Sequence, residues 1–395
     1  MKGRISYKVG ELVEHRISAG IEHFFEAPLL AGSPRKQTWY RVPVEGGRSG
    51  DGSEYHIYIK IADLTKLCIF LSGGGVAWNE YTAARPVTGG AVAAGLPNYY
   101  WNNLRPFTQI MNINAGITEI GNRNNPFDEW SFVVITYATG DFHIGNNVLY
   151  FSEEKQKPGT EKGSDTEKIQ RAQYFYGHRN FRESMRIARL FFPAVNEILM
   201  AGDSAGAFAV PALAGEVADV YYPECDQITL LSDSGQLLFG KWQETICQVW
   251  KSERKFYQAV HGPNLTVEWY RALYEKYGDR FTYLYAGSTH DYLLSAYMND
   301  MLHQRYESDA EMQALFFAQL QEMVISLKEI TPAFGIYIYP WKNPLLHVGG
   351  TIHTVVRKRH FYSGRVDGKT MAEWLGAAVC GQVEDCGLSL LMQSD

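Results

Sequence analysis

The chain has 395 residues, of which 46% are hydrophobic and 20% are charged, and its formal net charge at pH 7 is −6. This acidic balance argues against a nucleic-acid partner, and the absence of any run of about 18 apolar residues argues against a membrane-spanning helix. The five cysteines form no C-x-x-C pair, which argues against a zinc site and against a dense disulfide framework.

The beginning of the chain, Met1 to Ile5, lacks the apolar region of a signal peptide. A cytoplasmic location is therefore expected, or a secreted one if a leader has been trimmed. No repeat, low-complexity segment or break in composition divides the chain, so we expect one domain over residues 1–395. The oligomeric state is left open.

Hydrophobic periodicity predicts strands that alternate with helices. Two strands within residues 38–61, joined by a glycine- and serine-rich turn, are expected to pack onto the main domain. The hydrophilic stretch 152–168 is interpreted as a mobile excursion. The other predicted strands are 66–71, 132–137, 198–201, 227–231, 281–286 and 334–339, and the predicted helices are 175–192, 268–277, 310–330 and 371–379. This alternation predicts an α/β fold with a doubly wound, mostly parallel sheet and helices on both faces.

One short motif combines a strand, a tight turn and a helix. The apolar run Ile198 to Ala201 leads into Gly202-Asp203-Ser204-Ala205-Gly206, which matches G-x-S-x-G, the nucleophile elbow of serine hydrolases. Glycines beside the serine let the strand and the helix approach each other. The free N–H groups at the start of the helix favour a developing oxyanion. The alternative is a tight turn with a structural serine.

Glycines also follow the earlier strand 66–71, at Gly73, Gly74 and Gly75. Backbone N–H groups in such a loop can face a ligand, although a flexible loop gives the same pattern. We expect this loop and the N–H of Ala205 to contribute oxyanion donors. Glycine at position 74 would permit close approach of the substrate and a positive φ.

A serine nucleophile needs a base and a residue that orients the base. Ser204, Asp291 and His353 each follow a predicted strand, in the chain order of α/β-hydrolases. His353 would accept the serine proton, and Asp291 would orient its ring. Asp233 is the alternative to Asp291, and His347 and His290 are the alternatives to His353. Another pair, Asp141 and His143, is interpreted as ordering a loop, and no metal site is predicted.

Taken together, these motifs resemble the pectin acetylesterase/Notum family of serine carboxylesterases. The resemblance extends from about Tyr58 to Trp374, over most of the chain. It rests on the pieces 71–79, 135–141, 201–206, 232–235, 289–291 and 350–353. It implies an α/β-hydrolase-like fold that needs no cofactor, with the triad at Ser204, Asp291 and His353 and the oxyanion donors at Gly74, Gly75 and Ala205.

The chain also departs from that family. Secreted members carry a cysteine where this chain has Ala77, and plant members carry one where it has Asp203. The family's usual disulfides are therefore largely absent, which indicates a divergent, bacterial-type branch and leaves both secretion and a cell-wall substrate open.

The expected reaction is hydrolysis of an O-acyl ester on a small molecule or a polysaccharide, with O-acetyl groups on a carbohydrate such as pectin favoured. The alternatives are a long-chain esterase or protein deacylase, and a non-catalytic carbohydrate or lipid binder that keeps the fold. Substrate contacts are expected from residues in the loops after strand ends, where ligands bind in open α/β sheets. These are Trp78, Asn79, Tyr81, Tyr99, Trp101 and Phe142.

Overall fold

A computed structural model describes residues 27–88, 96–104, 112–156, 166–343 and 349–392. The strands in these ranges are β1 Trp39–Pro43, β2 His56–Lys60, β3 Asp63–Leu71, β4 Trp130–Ile135, β5 Asn147–Gln156, β6 Thr166–Phe175, β7 Glu197–Asp203, β8 Gln227–Asp233, β9 Phe281–Ser288, β10 Gly335–Tyr339, β11 Arg365–Val366 and β12 Lys369–Thr370.

The α-helices in the same ranges are α1 Glu80–Ala83, α2 Gly177–Phe191, α3 Ala205–Glu216, α4 Trp242–Glu244, α5 Arg254–Gln258, α6 Leu265–Tyr277, α7 Tyr292–His303, α8 Ala310–Ile330, α9 His360–Ser363 and α10 Met371–Val379. Short 3-10 helices lie at Gly116–Thr118, Gly278–Arg280 and Leu388–Met392, and short π-helices at Val217–Tyr221 and Thr245–Val249. Within the described ranges, no helix has the length and apolar character needed to cross a membrane.

One large sheet organises the described residues. Its eight strands lie in the order β1-β2-β4-β3-β7-β8-β9-β10. The six strands β4, β3, β7, β8, β9 and β10 run parallel to one another, whereas β2 is antiparallel to both β1 and β4. The predicted α/β class and the mostly parallel sheet are confirmed. β1 and β2 extend the sheet beyond β4.

The sheet is covered on both faces, as successive residues of β3 show. Leu67, Ile69 and Leu71 join a core that includes buried side chains of α2, α3, α6 and α8. Cys68 and Phe70 join the opposite core, to which α10 contributes. Alternate residues of a strand point to opposite faces, and parallel sheets are buried on both. The predicted placement of helices on both faces is therefore confirmed.

Helix α2 shows why periodicity was informative here. The sequence places Phe181, Met185, Ala188 and Phe192 on one helical face, and all four side chains are fully buried in the structure. Their spacing matches the apolar stripe of a helix that packs on a core. This helix connects the β5–β6 hairpin to β7.

The hydrophilic stretch 152–168 differs from its prediction. β5 and β6 pair in antiparallel fashion from Asn147–Phe175 to Gln156–Thr166, and residues 157–165 lie outside the described ranges. The described ends of this stretch are therefore strands, which the sequence did not predict, and its mobility stays a prediction. Backbone hydrogen bonds hold a two-stranded ribbon together, and such bonds leave no apolar periodicity in the sequence.

Close contact between β3, β7 and α3 depends on glycine. A Cβ atom at Gly206 would lie 1.9 Å from the carbonyl oxygen of Leu71, and one at Gly202 would lie 2.3 Å from the carbonyl oxygen of Gly206. Real Cβ atoms do not come so near to backbone atoms. The two glycines of the G-x-S-x-G motif thus let helix and strands meet without a side chain between them.

The substitution Gly206→Ala should destabilise the protein, because the added methyl group must push α3 away from β3. Overpacking of this kind costs about 1–3 kcal/mol, so the melting temperature measured by circular dichroism should fall by a few degrees. Gly240→Ala is the matched control, since a Cβ atom there meets nothing within 4 Å. Equal melting temperatures for the two variants would contradict this account.

Candidate active site

Ser204 lies in the turn between β7 and α3, at the carboxyl edge of the sheet. Its backbone has φ 52° and ψ −120°, a conformation that is strained for a residue with a side chain. Its N–H donates to the carbonyl oxygen of Asp233 at 2.8 Å. The surrounding strands therefore hold the strained turn, and α3 begins at the next residue, Ala205.

The glycine loop after β3 passes directly against this turn. A Cβ atom at Gly73 would lie 2.7 Å from Ser204 Cβ. The positive φ in the loop is at Gly75, with φ +82°, and not at Gly74 as the sequence suggested. Gly74 is instead needed for space, because a Cβ atom there would lie 2.7 Å from the Tyr137 ring.

The N–H groups of Gly74, Gly75 and Ala205 donate to no acceptor among the described residues. For Ala205 the reason is its place at the start of α3, where a helix leaves its first N–H groups unpaired. Gly75 and Ala205 line the same cavity as Ser204. Their convergence on one oxyanion position stays a prediction.

Asp291 and His353 are in direct contact. His353 Nδ1 donates to Asp291 Oδ2 at 2.6 Å, and both side chains are buried, with exposed fractions of 9% and 1%. Asp291 is also the N-cap of α7, where its Oδ1 accepts the N–H groups of Leu293 and Leu294 at 3.0 Å. One carboxylate thus both caps α7 and orients the His353 ring.

The other ring nitrogen, His353 Nε2, is buried and has no hydrogen-bond partner among the described residues. Ser204 Oγ likewise makes no side-chain hydrogen bond to the residues that the structure describes. The two residues come from adjacent segments, because Ser204 N–H is bonded to Asp233 and Thr354 N–H donates to Ser234 Oγ at 3.3 Å. Nucleophile–base hydrogen bonds are often long in ligand-free enzymes and tighten when substrate binds.

Asp233 contacts the backbone of the His353 segment and not its ring. Its Oδ2 accepts the N–H groups of Val355 at 2.6 Å and Val356 at 2.8 Å, and its Oδ1 accepts the Tyr339 hydroxyl at 3.0 Å. Burial raises the pKa of this carboxyl above its usual value. Asp233 therefore fixes the backbone that follows His353, while Asp291 is the carboxylate that contacts the imidazole ring.

The alternative histidines are placed differently. The ring of His290 stacks on Phe317 at 4.8 Å between centroids. His347 lies outside the described residues. The hydrogen-bonded partner of Asp291 is thus His353.

Asp141 and His143 order a buried loop. Asp141 accepts Thr139 Oγ1 at 2.6 Å and Gly177 N–H at 2.8 Å, and burial raises its pKa to about 6. His143 Nε2 donates to the carbonyl oxygen of Ser72 at 2.9 Å, next to the glycine loop, and burial lowers its pKa to about 4. No group of three potential metal-ligating side chains occurs in the part of the chain that the structure describes.

A small cavity with a volume of about 20 Å³ opens beside Ser204. Its walls are mostly apolar, formed by Val76, Phe142, Phe208, Leu237, Leu293, Leu294 and Tyr297. Sequence reasoning identified Phe142 alone among them. The spacing of Ser204 and Phe208 was a usable signal, because residues four apart lie on one helical face. No prediction covered α7, which contributes three of the lining residues.

The predicted substrate-contacting residues are spread over different environments. Phe142 lines the cavity and stacks on Phe208 at 4.4 Å between centroids. Trp101 is half-buried, and its N–H donates to the carbonyl oxygen of Gly74 at 2.9 Å. Their roles in binding stay predictions.

The remaining four lie away from the cavity lining. Trp78 and Tyr99 are buried and pack edge to face at 5.1 Å. Asn79 is exposed and caps α1 by accepting the Thr82 N–H at 2.9 Å. Tyr81 is 50% exposed and lies against the Arg85 guanidinium. Of these four, Tyr81 and Asn79 are the side chains that an external ligand could reach.

No protein-family model and no curated protein sequence matches this chain. The functional argument therefore rests on the geometry of the site.

Replacing Asp291 and Asp233 separately should give different phenotypes. Asp291→Asn should fold normally and lose about 10⁴ in kcat, because an amide favours the wrong histidine tautomer. Asp233→Asn should lower the melting temperature, since it removes an acceptor of buried N–H groups. Steady-state ester hydrolysis and thermal unfolding of both variants provide the measurement. An inactive but stable Asp233→Asn, with active Asp291→Asn, would reverse the assignment.

Proposed function

We propose that the protein is a serine hydrolase that cleaves carboxylic esters, on a fold of the α/β-hydrolase type. The observation that carries the proposal is the buried Asp291–His353 pair at the same sheet edge as the strained Ser204. Among the described residues, His353 Nε2 has no hydrogen-bond partner. Ser204 follows β7, Asp291 follows β9 and His353 follows β10, which is the order of that fold class.

In the proposed reaction, His353 Nε2 takes the proton of Ser204 as Oγ attacks the ester carbonyl carbon. The tetrahedral intermediate collapses, the bond to the alcohol oxygen breaks, and His353 protonates the departing alcohol. Water then attacks the acyl-serine with His353 again as the base, and the carboxylic acid leaves. Asp291 holds Nδ1–H and stabilises the imidazolium at each stage.

The negative charge of the tetrahedral intermediate would lie at the start of α3 and the glycine loop. The unpaired N–H groups of Gly74, Gly75 and Ala205 support this assignment. The positive end of the α3 dipole adds to it. Each such donor is worth about 3–4 kcal/mol of transition-state stabilisation.

The acyl group is proposed to be short. The cavity beside Ser204 has a volume of only about 20 Å³, and the side chains that line it are mostly apolar. We propose an acetyl group, because the space between Leu237, Leu293 and Phe208 is narrow. A carbohydrate alcohol is proposed on the resemblance to pectin acetylesterases, with O-acetylated pectin as one such ester.

The direct test uses p-nitrophenyl acetate and a fluorophosphonate probe. The wild type should hydrolyse the ester and become labelled at Ser204, and Ser204→Ala should lose labelling and on the order of 10⁴ or more in rate. Ser288→Ala is the control, because Ser288 also ends a strand of the sheet but its hydroxyl makes no hydrogen bond within the described residues. Absent turnover and labelling in the wild type would favour a non-catalytic ligand-binding protein.

The size of the acyl cavity gives a second test. Leu293→Ala should enlarge the cavity and raise the butyryl-to-acetyl ratio of kcat/KM, by about tenfold for one or two methylene groups. Leu302→Ala is the matched control, because Leu302 lies on the same helix and is 53% exposed. The comparison uses p-nitrophenyl acetate, butyrate and octanoate. Equal chain-length profiles for Leu293→Ala and the wild type would remove the cavity from the acyl site.

A further inference from the structure

Arg357 lies at the junction of three segments that form the candidate site. It follows His353 by four positions, and its guanidinium contacts Asp203, the residue before Ser204. The contacts are Nε to Oδ2 at 2.9 Å, Nη2 to Oδ2 at 2.6 Å and Nη2 to Oδ1 at 2.8 Å. Arg357 thus binds the Asp203 carboxylate through two nitrogens of its planar guanidinium group, a geometry that a lysine cannot reproduce.

Asp203 in turn holds the glycine loop. Its Oδ1 accepts the N–H of Gly73 at 2.8 Å. The third nitrogen of the Arg357 guanidinium, Nη1, donates to Asn112 Oδ1 at 3.0 Å and to Ser72 Oγ at 3.4 Å. One ion pair therefore connects the turn of Ser204, the loop after β3 and the segment that carries His353.

The ion pair is buried, with side-chain exposures of 8% for Arg357 and 6% for Asp203. Burying two charges is unfavourable unless their hydrogen bonds are well satisfied. Apolar residues of similar volume often give equal or greater stability at such a place. A buried, multiply bonded pair beside a reactive serine is thus poorly explained by stability and better explained by positioning.

We infer that Arg357 is a positioning residue that acts through Asp203 to fix the oxyanion loop and the His353 segment relative to Ser204. This inference rests on the proposed hydrolase function. Arg357 would touch neither the ester nor the reacting atoms. Its effect would come from geometry, because a displacement of about 1 Å in a catalytic group can lower the rate by about a hundredfold.

Arg357→Lys keeps the charge and loses the fork, so kcat for p-nitrophenyl acetate should fall by about tenfold to a hundredfold. KM should stay close to the wild-type value, because the oxyanion donors act mainly on the transition state. Arg359→Lys is the matched control, since Arg359 is exposed on the same segment. The labelling rate of Ser204 by the fluorophosphonate should fall in parallel with kcat.

A double variant separates positioning from folding. Asp203→Asn combined with Arg357→Met removes both buried charges, and its melting temperature should exceed that of Arg357→Met, in which Asp203 is left buried and unpaired. Its kcat should remain low, because nothing restores the loop geometry. A double variant or an Arg357→Lys variant with wild-type kcat would overturn the inference. A wild type that neither turns over nor labels would instead overturn the proposed hydrolase function on which it rests.

Discussion

Three buried carboxylates at the carboxyl edge of the sheet control the geometry of the candidate site. Asp203 ends β7, Asp233 ends β8 and Asp291 follows β9, and Asp203 and Asp233 are direct partners in the register of the sheet. Asp203 accepts a backbone N–H of the glycine loop, and Asp233 accepts two from the segment after His353. Asp291 caps the helix that it precedes, α7, and accepts the ring N–H of His353. The parallel strands thus place three carboxylate acceptors at one edge of the sheet, and the neighbouring loops bind to these carboxylates.

The three buried carboxyl groups have different hydrogen-bond partners. Asp203 has a guanidinium, Asp291 has an imidazole and a helix N-terminus, and Asp233 has neutral donors. Burial raises the pKa of Asp233 above its usual value. These environments suit different roles. A carboxylate beside an imidazole, as at Asp291, can support proton transfer, whereas a carboxyl group with neutral donors, as at Asp233, fixes the position of the backbone.

The residue before Ser204 is also a position at which the chain differs from the family to which a resemblance is proposed. Plant pectin acetylesterases carry a cysteine there, and this chain carries Asp203. Its five cysteines are unpaired, with Cys68, Cys225 and Cys386 buried and Cys247 and Cys380 exposed. In this protein an ion pair, and not a covalent bridge, links the turn of Ser204 to its neighbouring loops.

The sequence by itself determined the strands and helices with strong periodicity, such as α2, α8 and β7, because burial of one face leaves a repeating apolar pattern. It also indicated Ser204, Asp291 and His353 as candidates, since each follows a buried strand and loops after parallel strands share one edge. It did not indicate the β5–β6 hairpin or α7, which lack such a pattern or a distinct boundary.

Only the tertiary structure decided which side chains meet. Asp233 and Asp291 look alike in the sequence. The path of the segment after β10 places backbone N–H groups against Asp233 and the ring of His353 against Asp291. Arg357 carried no recognisable motif, and its partner Asp203 lies 154 positions away. Trp78 and Tyr99 looked like ligand contacts, but the packing of their loops buries them. Contacts between distant segments depend on loop paths, which local propensity and periodicity do not encode.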